Sequence, residues 1–164
     1  MSMILKLSAE SGLLHVVATG NFSLAEAKRT FMEMLEALVQ SKVAKVLFDG
    51  RELAGNPRVM ERFFYGEFAA VAVLNFTAQG VTAATPFAYV LKVPILDPGR
   101  LGETVAVNRG MRVKTFDNIG DALGWLGIAP ANNPVIGAAN STSGAPQPGQ
   151  KQASRGEAAP QAGQ

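Results

Sequence analysis

The stretch from Asp97 to Gly127 constrains the fold more than any other part of this chain. It leads from an acidic loop at Asp97-Pro98-Gly99 into a helical segment that closes on Asn108-Arg109-Gly110. An apolar strand follows over Met111 to Phe116, then an amphipathic segment with Ile119, Ala122, Leu123 and Leu126 at helical spacing. Asn118 or Asp117 is placed to cap its start and Gly127 its end. Strands separated by a helix need a crossover connection, which makes them parallel neighbours. The stretch is therefore half of a small α/β domain.

The remainder of the chain repeats that alternation. Ile4 to Leu7 and Leu13 to Thr19 read as strands joined around Gly12, a hairpin. Ser23, with Glu26 three residues on, forms a capping box for a helix. Its apolar stripe is Leu24, Ala27, Phe31, Met34, Leu35 and Leu38, while Glu26, Arg29, Glu33 and Glu36 face away. Val43 to Phe48 is an apolar run with Lys45 inside it, expected to be a buried parallel strand that stops at Asp49-Gly50. Pro57 opens a second helix through Met60, Phe63, Phe64, Phe68, Val71 and Leu74. Phe87 to Val93 is a further strand closed by Pro94, and a helix from Gly99 to Asn108 turns Leu101 and Val105 inward. The predicted class is α/β in the order ββαβαβαβα. It is a mostly parallel sheet of four or five strands, flanked by four helices, with an N-terminal β-hairpin.

Composition bounds what such a domain can do. Over 164 residues, 48% hydrophobic and 17% charged content supports one domain with a real core. The net charge of +2 provides no basic stripe for nucleic acid. Without cysteine, thiol nucleophiles, disulfides and thiolate metal sites are all excluded. The start at Met1-Ser2-Met3-Ile4 lacks a signal-peptide pattern, and no run approaches the ~18 apolar residues of a membrane span, so a cytoplasmic, soluble protein is expected. From Pro130 to Gln164 the chain turns to Ala, Gly, Pro, Gln, Asn, Ser and Thr, with Val135 and Ile136 the only large aliphatics. Such a segment cannot offset its conformational entropy by burial. The expected division is a folded domain over 1–128 and a disordered tail over 129–164.

Candidate functional residues collect where open α/β sheets carry them, at the carboxyl ends of the strands. They are Asp49 and Arg51 with Asn56, then Asp97 with Arg100, then Asp117-Asn118. Asp and Asn equally suit turns and helix caps at these places. Asn108 is expected to face inward and Arg109 outward, near Arg100 or Arg112, where it could hold a carboxylate or phosphate. His15 is alone, without cysteine or a serine partner, and reads as a half-exposed strand residue. No glycine-lysine phosphate loop or dinucleotide fingerprint is present, so no cofactor, metal or catalytic residue is assigned. The three consecutive aromatics Phe63, Phe64 and Tyr65 point about 100° apart on a helix and cannot all enter one core stripe. Tyr65 with one of Phe63 or Phe64 is expected on an association surface. Gly66 beside it would let a second helix approach, as in a homodimer.

These residues carry a family resemblance. The strand end Val46-Leu47-Phe48-Asp49 is followed by Arg51 and Gly55, then Met60-Glu61-Arg62-Phe63 with Gly66-Glu67. Later come Asp97, Glu103-Thr104-Val105-Ala106, Asn108-Arg109-Gly110, Val113, Phe116, Ala122 and Trp125-Leu126. Residues 1 to about 127 resemble the STAS-like, anti-sigma-factor-antagonist-like family of small bacterial proteins (SpoIIAA-like, STAS/SEC14). The resemblance implies a non-enzymatic regulatory module that works by binding a protein partner or itself. Anti-sigma antagonists carry a phosphorylatable Ser or Thr in the loop after the third strand. Here 49–58 has neither, so the implied module lacks that switch. The SEC14 side implies an alternative, a small apolar or anionic ligand between helices and sheet.

Overall fold

Ser11 and Gly12, both at positive φ (56° and 77°), turn the first strand back on itself. β1 (Ile4–Glu10) thereby pairs antiparallel with β2 (Leu13–Asn21), Leu5 opposite Ala18 and Leu7 opposite Val16. The computed structural model describes residues 2–128, and the tail expected over 129–164 lies outside them. After β2 come α1 (Leu24–Ser41), β3 (Lys45–Ala54), α2 (Val59–Asn75), β4 (Pro86–Val90), α3 (Leu101–Asn108), β5 (Arg112–Phe116) and α4 (Ile119–Leu126). A single 3₁₀ turn at Thr77–Gln79 follows α2. The order is the predicted ββαβαβαβα, in one five-stranded sheet β1-β2-β3-β4-β5 whose pairs after the hairpin are all parallel.

Local chemistry starts and stops these helices. The Ser23 hydroxyl accepts from the Glu26 amide at 3.2 Å, and α1 ends on Lys42 in the left-handed region. Glu61 Oε1 accepts from the Arg58 amide at 2.8 Å at the start of α2. Asn118 Oδ1 accepts from the Asp121 amide at 2.8 Å at the start of α4.

The period of two in the strands sorts the core into two layers. Leu14, Val16, Ala18, Val46, Phe48, Phe87, Tyr89 and Val113 join the main core with residues of α1, α2 and α3. The alternate residues Leu47, Ala88 and Val90 are buried on the other face, which α4 covers with Ala122 and Leu126. The Phe116 and Trp125 rings meet at 5.9 Å there.

Of the strand boundaries that differ from expectation, two shape the region around the site. β3 does not stop at Asp49-Gly50 but continues to Ala54, because β2 stays beside it to the register Asn21↔Ala54. A bulge between Val17 and Thr19 precedes that extension. β4 is shorter than expected and ends at Val90, level with Asp49 and Phe116. The last half of β3 therefore extends past β4, with β2 its one neighbour there.

Candidate functional site

The structure sorts the sequence-selected residues into separate groups. Asp49 and Arg51 close on each other through two bonds, Arg51 Nε to Oδ1 at 2.9 Å and Nη2 to Oδ2 at 2.8 Å. That bidentate pairing is the reason the Asp49 carboxyl lies below the usual carboxylate range. Asp49 is thus a buried strand residue and not part of a turn.

Asp97 caps the turn into α3. Its carboxylate accepts from the Leu101 amide at 2.8 Å and the Gly99 amide at 3.0 Å, and those two amides lower its pKa. Arg100 reaches the end of β5, donating to Thr115 O at 2.6 Å and Thr115 Oγ1 at 2.9 Å. Glu103 accepts from the Thr115 amide (2.8 Å) and hydroxyl (2.7 Å). This cluster pins α3 to β5, and its polar atoms are engaged with one another. Asn56 is exposed in the loop before α2.

Asn108 does not turn inward. Val105 and Ala106 are the buried residues of α3, so the helix faces the core between them and Asn108 falls on its exposed flank. Arg109 is exposed, as expected. It bonds Glu67 of α2 at 3.0 Å and lies over the Phe63 ring at 5.6 Å. His15 is half-buried as expected, and its Nε2 is enclosed without a hydrogen-bond partner. Among the described residues no group of three or more His, Cys, Asp or Glu could hold a metal ion.

The expected aromatic surface divides. Tyr65 is not on the outside: its hydroxyl lies in the interior, 2.7 Å from that of Tyr89 on β4. Gly66 explains the turn inward. A Cβ on Gly66 would stand 2.4 Å from the Gly102 carbonyl oxygen, so the helix it admits is α3 of the same chain. Phe64 does face outward, and the helical period sets Met60, Val71 and Leu74 on the same side. Their exposures are 55%, 41%, 48% and 54% for Met60, Phe64, Val71 and Leu74. Glu67, paired with Arg109, sits at the midpoint of this stripe, and Phe63 borders it. The sequence named Phe63, Phe64 and Arg109 for different reasons, and the fold brings them to one face. Met60, Val71 and Leu74 were missed as site residues. The signal that could have found them was the apolar character of α2 on all sides.

Beneath α2 lies a second feature. A cavity of about 120 Å³ sits between α2, α3 and the sheet, lined by Phe48, Tyr65, Ala69, Tyr89, Ala106 and Met111 among others. Burial raises the pKa of Tyr65 and of Tyr89 well above the usual phenol range, so both stay neutral.

No family model matches the chain, and no curated protein matches it. Among the solved structures similar to it are two of known description. One is an anti-sigma factor antagonist from Mycobacterium paratuberculosis, at 15% identity and TM-score 0.48, covering 76% of this chain and 93% of that one. The other is an uncharacterized protein of the DUF3478 family with a SpoIIAA-like fold from Shewanella loihica PV-4, at 16% identity and TM-score 0.43, with coverage of 76% and 93%.

Proposed function

We propose that this chain is a non-enzymatic, STAS-like interaction module that acts by self-association through the outer face of α2. The observation that carries this reading is the row Met60, Phe64, Val71 and Leu74, large apolar side chains left in water along one helix. Glu67 lies seven residues from both Met60 and Leu74, three from Phe64 and four from Val71, so the row is symmetric about it to within one residue. An antiparallel second copy of α2 therefore sets Met60 against Leu74 and Phe64 against Val71. The Glu67–Arg109 pair comes to the centre, where each carboxylate meets a guanidinium of either copy. A two-fold axis makes one patch serve both partners. The module works without a phosphorylated side chain in 49–58, a segment with no Ser or Thr.

Sedimentation equilibrium on the full chain tests the reading. A dimer is expected, and Phe64→Lys with Val71→Lys should give a monomer with an unchanged circular dichroism spectrum. A wild type that stays monomeric at high concentration sinks the proposal, as does a double variant that remains dimeric.

A further inference from the structure

The cavity under α2 contains a hydrogen-bond donor that the fold leaves unused. The chain has two tyrosines, and they meet at 2.7 Å. Two phenols carry two O–H bonds, but only one can be spent between them, one hydroxyl donating and the other accepting. The second proton has no acceptor among the described residues. Every charged side chain of the lining is already engaged elsewhere. Arg62 donates to the carbonyls of Ile95 (2.9 Å) and Pro94 (2.7 Å), Asp97 caps α3, and Arg100 and Glu103 hold Thr115. The rest of the wall is chiefly apolar, with Phe48, Leu91, Ile95 and Met111.

We propose that this cavity is a binding site for a compact, uncharged molecule with one acceptor oxygen, which takes the free hydroxyl proton of the Tyr65–Tyr89 pair. Size sets the class. A cavity of about 150 Å³ accepts a benzene ring, and the 120 Å³ here holds a ring slightly smaller. Charge narrows the class further: a carboxylate beside the two phenols loses its hydration, and the guanidinium groups of Arg62 and Arg100 are turned to the backbone carbonyls of Pro94, Ile95 and Thr115. A ketone or ether oxygen needs only the one donor. One hydroxyl polarises the other along the chain O–H···O–H···O, which strengthens the bond to the ligand. The site is separate from the outer face of α2 and stands whether or not the chain self-associates.

Cyclopentanone and methylenecyclopentane have the same shape and differ in the acceptor oxygen, so together they isolate the tyrosine contribution. Titration of the full chain followed by amide and methyl chemical shifts should show cyclopentanone bound about tenfold more tightly, the worth of one net hydrogen bond. Shifts should map to Ala69, Ala106 and Met111. The double variant Tyr65→Phe with Tyr89→Phe keeps the cavity and should reverse that preference, because the ketone oxygen is then buried without a donor while the alkene loses nothing. Should that variant fail to fold, the wild-type preference decides alone. Equal affinity of the wild type for both probes, no binding of cyclopentanone, or shifts confined to the surface would each overturn the proposal.

Discussion

α1 and α2 lie side by side on the same face of the sheet and solve opposite packing problems. α1 buries its large residues, Phe31, Met34, Leu35 and Leu38, and turns Arg29 outward between Glu26 and Glu33. α2 buries Gly66, Ala69, Ala70, Ala72 and Val73 and leaves Met60, Phe64, Val71 and Leu74 outside. The reversal has a cause in the middle of α2. Small residues let α3 cross against Gly66 and leave room beneath for the cavity. The large apolar residues then have only water to face, or a partner. One helix is built to close a core, the other to let α3 approach closely.

The largest effect that would break this comparison belongs to α1. Phe31 is fully buried and touches the rings of Tyr65, Phe68 and Phe87, so Phe31→Ala should cost ~3–5 kcal/mol in urea unfolding. A loss below about 1 kcal/mol, the size of a surface change, would mean that α1 does not anchor the core.

The matching substitution in α2 adds atoms instead of removing them. Gly66→Ala gains about 1 kcal/mol of helix propensity yet drives a Cβ against the Gly102 backbone. Overpacking of ~1–3 kcal/mol should leave the variant less stable on balance. A more stable Gly66→Ala protein would show that α2 and α3 separate freely.

Alkaline pH probes the interior side of α2. Burial raises both tyrosine pKa values above the unfolded one, so the folded state favours the protonated hydroxyls. That contribution is complete below about pH 10, where unfolded tyrosine ionises, and it is lost as pH rises toward the folded values. Each protected hydroxyl steepens the fall by up to about 1.4 kcal/mol per pH unit. Stability of the Tyr65→Phe, Tyr89→Phe variant should therefore decline less between pH 10 and 11.5. Parallel curves for the two proteins would place these hydroxyls in water.

The smallest effects belong to the two outer faces. Arg29→Ala removes exposed ion pairs and should change stability by under about 1 kcal/mol. Phe64→Lys should be equally quiet in monomer stability, within about 0.5 kcal/mol, while it weakens self-association. A Phe64→Lys chain that unfolds would make that ring part of the core.

Much of the fold was legible along the chain. α1 announced its inward face because apolar and charged residues separate cleanly at the helical period. The Ser23 and Asn118 caps were equally readable, since caps act over three residues, although the reciprocal half of the box expected at Ser23 is missing because Glu26 pairs with Arg29. α2 was legible as a helix but not in its orientation, because apolar residues on every side leave the period with nothing to choose between. Tyr65 was misplaced for that reason. The Asp49-Gly50 pair misled about the end of β3, because turn residues there are overridden by pairing with β2. Arg109 was legible only as a helix-end arginine able to hold a carboxylate or phosphate, and its pairing with Glu67, 42 positions away, leaves no mark in the local spacing.

The sequence by itself determined the order of the elements, the parallel connections and the caps. These rest on spacing and on backbone chemistry between residues near one another in the chain. Only the tertiary structure decided which side of α2 faces water, that Gly66 receives α3, and that Tyr65 meets Tyr89. Those contacts join residues tens of positions apart, and they depend on how closely two backbones approach. No periodicity records that distance.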